Sequence, residues 1–250
     1  MTTRIERVSS MLERYPASHR AARHVYRVAG YAYRPAYKAQ ALLRRPYQIR
    51  KYLRGVGDFT GLQIGAGPHQ LAGWLRTDLE PDLKAVYLDA TKRFPFADET
   101  FNYIVAEHII EHIPYEDALK MLRECYRVLK NDGVIRISTP NIALTQQLMH
   151  PPLSPALERY VSWSNRSFRC TDNINSAIHV VNRLQHEWGH QFLYDTDTLV
   201  SSLRQSGFVN IAECTPDKSD HAALTNVDRH ALEIGEEANE LESLIIEASK

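Results

Sequence analysis

The 250-residue chain is 44% hydrophobic and 24% charged, a composition that suits one α/β domain plus an appendage. It holds no apolar run near the roughly 18 uncharged residues of a membrane span, and its arginine-studded N-terminus does not read as a signal peptide. Three dispersed cysteines, Cys125, Cys170 and Cys214, are expected as free thiols of a reducing cytoplasm, which argues against disulfides or a cysteine zinc site.

The 30 basic and 30 acidic residues cancel only in sum. Residues 1–54 hold 13 Lys and Arg against 2 Asp and Glu, whereas residues 55–250 hold 17 against 28. This front arm, residues 1–57, has the Ala, Leu and Arg content of helices and is predicted to break at Pro16, Pro35 and Pro46. Tyr26, Tyr31, Tyr33, Tyr37, Tyr47 and Tyr52 alternate with its arginines. The pattern fits helices packed on the chain's own acidic domain or on a second copy in a homodimer. It also fits peripheral contact with an anionic surface, such as the inner face of a membrane.

After Gly57 strands alternate with helices, the pattern of a mostly parallel sheet. Leu62–Ile64 is a short apolar strand that runs into Gly65-Ala66-Gly67. Trp74–Asp78 and Ala85–Asp89 each read as a strand ending in an acid, and Phe101–Glu107 is a fourth. A helix is predicted over about 114–129, with Ala118, Met121, Leu122, Cys125 and Val128 on one face. Asn131-Asp132-Gly133 is expected to stop it, and Val134–Ser138 to form the fifth strand. Residues 141–190 are read as an irregular, polar insertion of the kind that forms a lid, and residues 58–250 as one domain around it. Thr196–Ser206 is predicted as a helix capped by Thr196 or Asp197, and a strand begins near Gly207. Glu242–Ala248 reads either as a last strand or as the end of an acidic helix.

The order strand, glycines, acid, acid is where function first shows. A strand ending in G-x-G allows close approach of backbone to a ligand. Asp78 is placed to accept from ribose hydroxyls and Asp89 to meet the exocyclic amine of adenine. A dinucleotide fits poorly, because Gln70 stands where the third glycine belongs and Asp78 follows Gly65 by only 13 residues. Residues 68–73 leave no room for the full helix that would face a pyrophosphate.

These residues resemble the class I S-adenosylmethionine-dependent methyltransferases, and in particular a bacterial subgroup linked to glycan and polysaccharide biosynthesis. The matching stretches are L-Q-I-G-A-G-P-H at 62–69, G-W-L-R-T-D-L-E-P at 73–81, F-P-F-A-D-E-T-F-N-Y-I at 94–104 and A-E-H-I-I-E-H-I at 106–113. They continue in L-R-E-C-Y-R-V-L-K-N-D-G-V-I-R-I-S-T-P-N at 122–141 and F-L-Y-D-T-D-T-L at 192–199. The resemblance implies a Rossmann-like, seven-stranded, mostly parallel sheet with one antiparallel strand near the C-terminus. It also implies that Ile64, Gly65, Ala66, Gly67, Asp78, Leu79, Asp89, Ala90 and Glu107 contact S-adenosylmethionine. Two departures stand out: the acid that usually precedes the glycines is Gln63, and the third glycine of the family pattern is His69.

Methyl transfer from a sulfonium asks mainly for positioning, plus a base when the acceptor is a hydroxyl. His108 and Glu107, at the end of the fourth strand, are the candidate catalytic pair, with His108 the first choice of base. Glu111 and His112 read as structural or cofactor-edge residues. Asn141, His186, His190 and Tyr194 are the candidate acceptor-binding residues. His186-Glu187-Trp188-Gly189-His190 matches H-E-x-x-H, but Gly189 weakens a helix there and no third-ligand motif follows, so a zinc protease is rejected. His186, Glu187 and His190 are expected to line the acceptor pocket, with room for a divalent ion such as Mg2+ among them, since the resembling sugar methyltransferases include metal-assisted ones. The reading that results is a cytoplasmic O-methyltransferase for a saccharide or glycolipid hydroxyl. A methyltransferase for RNA or a small metabolite and an inactive cofactor-binding partner protein stay open. The missing N/D-P-P-Y/F motif speaks against a base or amide nitrogen acceptor, and nucleic acid is not expected as a partner.

Overall fold

The computed structural model describes residues 19–168 and 175–250, over 19–36 as backbone only. Pro16, Cys170 and the side chains of Tyr26, Tyr31 and Tyr33 lie outside the described residues. The chain divides into two compact units, Met1–Tyr47 and Gln48–Lys250. Helix α1 (His19–Gly55) runs through Pro35 and Pro46, where breaks are predicted from the sequence. A proline removes one hydrogen bond and crowds the turn before it, but the neighbouring Ala, Leu and Arg residues favour helix strongly enough to carry the ladder past it. Among the described residues no helix is long and apolar enough to cross a membrane.

The second unit is built on seven strands: β1 (Gly61–Ile64), β2 (Trp74–Asp78), β3 (Val86–Tyr87), β4 (Phe101–Glu107), β5 (Leu129–Pro140), β6 (Val209–Cys214) and β7 (Ser243–Ser249). Their order across the sheet is β3-β2-β1-β4-β5-β7-β6. The first five are parallel, and β7 runs antiparallel to both β5 and β6. This is the Rossmann-like class I methyltransferase architecture. Strand order reverses between β1 and β4, and ligands of open α/β sheets bind at such a switch point.

One face of the sheet is a continuous apolar core. Leu62, Ile104, Ile135, Ile137 and Ile246 pack there against Met121, Leu122 and Cys125 of α2 (Tyr115–Val128) and Leu199 and Leu203 of the helix Thr196–Gln205. α2 ends at Val128, and the positive φ that lets the chain turn falls on Asp132 (60°), not on Gly133. Gly133 is needed for closeness instead: a Cβ there would sit 2.8 Å from the Lys130 carbonyl oxygen. Tyr52, near the end of α1, accepts from the Gly61 N–H at 3.0 Å and lies 3.0 Å from the Gly61 carbonyl oxygen, at the start of β1.

Over its described residues, the insertion 141–190 is a packed layer rather than irregular chain. It forms α3 (Ile142–Leu148), α4 (Pro155–Ser167) and α5 (Ala177–His186), joined by a second core of Leu144, Leu148, Leu157, Tyr160, Val180 and Leu184. Polar residues on both its outer and inner faces, such as the buried Ser164, Asn165 and Arg183, hide a helical period broken by Pro151 and Pro152. Helix α6 (Thr196–Gln205) is capped by Asp195, whose carboxylate accepts from the Thr198 N–H at 2.8 Å, one residue before the predicted cap. The C-terminal segment closes with α7 (Ala231–Ile234) and α8 (Glu236–Glu242), so Glu242 ends a helix and Ser243 begins β7.

The opposite face of the sheet carries a buried charge. Arg136 of β5 is 1% exposed and lies directly across from Glu247 of β7. Its guanidinium donates to Asp228 (3.0 and 2.6 Å), Glu247 (2.6 Å) and the carbonyl oxygens of Lys218 (3.0 Å) and Thr215 (3.1 Å). All five of its N–H groups are thereby used, and the crossing segment 215–228 is held against the sheet. Removing one partner of such a cluster leaves uncompensated buried charge. Arg136→Met is expected to lower the unfolding free energy by about 3–5 kcal/mol, read from the shift of a urea unfolding curve.

Candidate functional site

The glycine loop follows β1. Gly65 and Gly67 have φ of 62° and 50°, a region side chains rarely adopt. At Gly65 space also decides: a Cβ would lie 2.0 Å from the Ile109 side chain. Gln63, the departure from the usual acid, is buried and braces this loop. It accepts from the Leu71 N–H at 3.2 Å and donates to the His69 carbonyl at 3.3 Å. Asp78 closes the loop from β2, accepting from the N–H groups of Gly67 (2.9 Å) and Glu80 (2.8 Å). Asp89 accepts from the Thr91 N–H and hydroxyl at 3.0 and 2.7 Å. Leu79, which follows Asp78, is exposed, and Ala90, which follows Asp89, packs on the edge of the main core.

A cavity of about 130 Å³ opens above this loop, walled by Ile64, Gly65, Ala66 and Gly67 on one side and Glu107, His108, His230 and Glu233 on the other. Glu107 was expected to be catalytic, but it is structurally engaged. One carboxylate oxygen accepts from the N–H groups of Arg229 (2.7 Å) and His230 (2.9 Å), which pins the C-terminal segment over the loop. Burial pushes its pKa up against those two hydrogen bonds. His69 and Glu233 meet across the mouth at 3.0 Å.

His108 directly follows β4 with φ of 48°, an uncommon conformation stored at the strand end. Its Nε2 lies 3.2 Å from the Ser243 hydroxyl and its Nδ1 3.3 Å from Glu111 Oε1, and its ring stacks on His230 with centroids 3.8 Å apart. Burial disfavours the charged ring, but Glu111, Glu242 and Glu107 around it prevail and raise its pKa. For the fully buried Glu111 the balance is the mirror image: burial acts to raise the carboxyl, and His108 outweighs it and holds it low.

A second cavity, of about 330 Å³, lies on the other side of His108. Trp163, Phe168 and Trp188 supply its aromatic wall, and Glu111, His112, His190, His230 and Glu242 its polar wall. Of the five residues expected at the acceptor, only His190 lines it. His186 is exposed at the end of α5, where the helix stops, so the H-E-W-G-H segment never places its two histidines one helical turn apart. Asn141 caps α3 through the Ala143 N–H at 2.9 Å, which uses the oxygen meant for a substrate. Tyr194 is wholly buried in the main core, where its ring packs on Phe192.

Sequence reasoning missed His230 and Glu233, and it read Glu111 as a structural or cofactor-edge residue. For Glu111 the E-H-I-I-E-H repeat was a visible signal. His230 and Glu233 sit in a segment with no motif, brought in by the Arg136–Asp228 and Glu107 contacts and by their own contacts with His108 and His69.

Residues 47–137 match the family model described as a methyltransferase domain. The chain carries a methyltransferase domain. The glycine loop beside its cavity leaves no room for a Cβ at Gly65; Asp78 ends the next strand, and Asp89 lies two residues past the end of the one after it. None of the curated proteins matches the chain in sequence. Among solved structures, the chain is similar to an S-adenosylmethionine-dependent methyltransferase from Archaeoglobus fulgidus (18% identity, 90% of this chain and 99% of that one, TM-score 0.45). It is similar to one from Mesorhizobium loti (15% identity, 83% and 97%, TM-score 0.44). It also resembles phosphoethanolamine N-methyltransferase 2 of Haemonchus contortus in complex with S-adenosylmethionine (16% identity, 83% and 52%, TM-score 0.40).

Because Ile109 fills the space a Cβ would need, Gly65→Ala in this methyltransferase domain must displace the loop. Its affinity for S-adenosylhomocysteine is expected to fall at least tenfold, about 1.4 kcal/mol, in a calorimetric titration beside the unaltered protein.

Proposed function

We propose that this domain methylates a hydroxyl of a sugar, in a glycan or glycolipid acceptor. One observation carries the reading: His108, His230 and Glu233 or its neighbours are common walls of the glycine-loop cavity and the aromatic cavity. A donor held on one side and an acceptor on the other would therefore meet at His108.

S-adenosylmethionine, when bound, supplies an activated methyl on a positively charged sulfur. The loop from Ile64 to Gly67 would hold its amino-acid end, Asp78 its ribose and Asp89 its adenine. The acceptor would lie in the second cavity. Trp163, Phe168 and Trp188 offer flat faces for the C–H face of a sugar ring, while imidazoles and carboxylates bind its hydroxyls. The same carboxylates, Glu111 and Glu242, repel a phosphate backbone, which favours a neutral saccharide over RNA. His108 is positioned by Glu111 and Ser243 to take the hydroxyl proton, and it is the catalytic residue of this proposal. Glu107 is a positioning residue that fixes Arg229 and His230.

Turnover is to be measured with methyl-labelled donor and a panel of glycosides. His108→Ala is expected to lower kcat at least about 100-fold while the affinity for S-adenosylhomocysteine stays within threefold. Asp78→Ala is expected to do the reverse, weakening the donor first. Labelling of amines but of no hydroxylated acceptor would sink the O-methylation reading and leave the methyltransferase itself standing.

A further inference from the structure

Three ligand-type side chains converge beside the second cavity, apart from the donor loop. Glu111 and His112 belong to a single 3-10 turn, Ile110–His112, and His190 to the loop after α5. Main-chain bonds hold that loop on that turn: the N–H groups of Gln191 and Phe192 both donate to the Glu111 carbonyl, at 2.7 and 3.2 Å. One ligand atom from each of the three side chains lies within 4.8 Å of the others, and Glu111 Oε1 is 3.9 Å from His112 Nε2. Ligands bonded at about 2.1 Å around a tetrahedral ion stand about 3.4 Å apart, so small side-chain rotations would close the set.

Two further observations point to a ligand. Glu111 is wholly buried and lines the cavity, yet its Oε1 accepts no hydrogen bond. The Thr139 hydroxyl serves Oε2, at 3.1 Å, and what faces Oε1 is the His108 ring, at 3.3 Å as an ion-pair contact. A buried carboxylate oxygen held by charge alone keeps a lone pair for a further partner. His190, in turn, has Nδ1 2.6 Å from the Leu184 carbonyl. That nitrogen must carry the proton, which leaves the Nε2 lone pair free, as in histidines oriented for metal binding.

We propose that Glu111, His112 and His190 bind a divalent transition-metal ion of zinc type at the wall of the acceptor cavity. Two imidazoles and one carboxylate favour such an ion over Mg2+, which prefers oxygen ligands and retained water. The Mg2+ expected from the sequence is therefore replaced at this site, and only the last histidine of H-E-W-G-H takes part. Three protein ligands leave an open position facing the cavity. Binding the acceptor hydroxyl there rests on the methyl-transfer reading; binding the ion does not.

The test uses the full chain without a histidine tag, stripped by a chelator and titrated calorimetrically with Zn2+ and then with Mg2+. One equivalent of Zn2+ is expected to bind with micromolar or tighter Kd, and Mg2+ not at all in that range. His112→Ala and His190→Ala should each weaken Zn2+ at least tenfold, and His186→Ala less than threefold. A titration of the same stripped proteins with S-adenosylhomocysteine reports their folding and the donor cleft separately, so the two readings fail independently. Should His190→Ala not fold, His112→Ala, with its side chain 38% exposed, carries the comparison. Zn2+ that does not bind the intact protein, that survives both substitutions, or that is lost equally in His186→Ala would overturn the proposal.

Discussion

A buried guanidinium is costly to desolvate, and Arg136 is tolerated because every one of its N–H groups finds an acceptor. Those acceptors come from three separated places: Thr215 and Lys218 in the loop after β6, Asp228 further along, and Glu247 on β7. One side chain thus ties together the antiparallel edge of the sheet and the segment that crosses it. Immediately after Asp228, the N–H groups of Arg229 and His230 fall onto Glu107 at the end of β4. The two contacts together set the far wall of the donor cavity, where His230 and Glu233 face the glycine loop.

The chemistry of the site follows from where β4 stops. Its last residues deliver Glu107 to the C-terminal segment and His108 to the boundary between two cavities. The left-handed backbone at His108 turns its ring away from the strand direction and toward Glu111, Ser243 and His230. Three groups on different elements thereby orient one imidazole, which fixes its position between the cavities. The helical layer α3–α5 encloses the second cavity from above with Trp163, and the loop beyond it adds Trp188 and His190. Its core of leucines, valines and Tyr160, shared with Ala238 of α8, packs that layer together.

The parts legible in the chain are those whose signal is local. β2 and β4 begin and end where alternation and terminal acids place them, and the glycines after β1 have the positive φ their lack of a side chain permits. The helical layer was masked because polar residues on both its faces and paired prolines dilute the 3.6-residue period. Tyr194 and Asn141 misled for a related reason. A polar side chain beside a site motif looks the same in sequence whether it faces a ligand, caps a helix or packs in the core.

By itself, then, the sequence determined the first strands and the glycine loop after β1, which rest on residues close together in the chain, and the family resemblance implied the seven-stranded class. Tertiary structure alone decided that Glu107 anchors backbone, that His230 and Glu233 complete the donor cavity, and that Glu111, His112 and His190 meet. Those outcomes depend on contacts between residues some 80 to 120 positions apart (Glu111 to His190, Glu107 to His230). Their geometry is fixed by strand register and by a buried charge cluster, neither of which leaves a periodic trace in the amino-acid order.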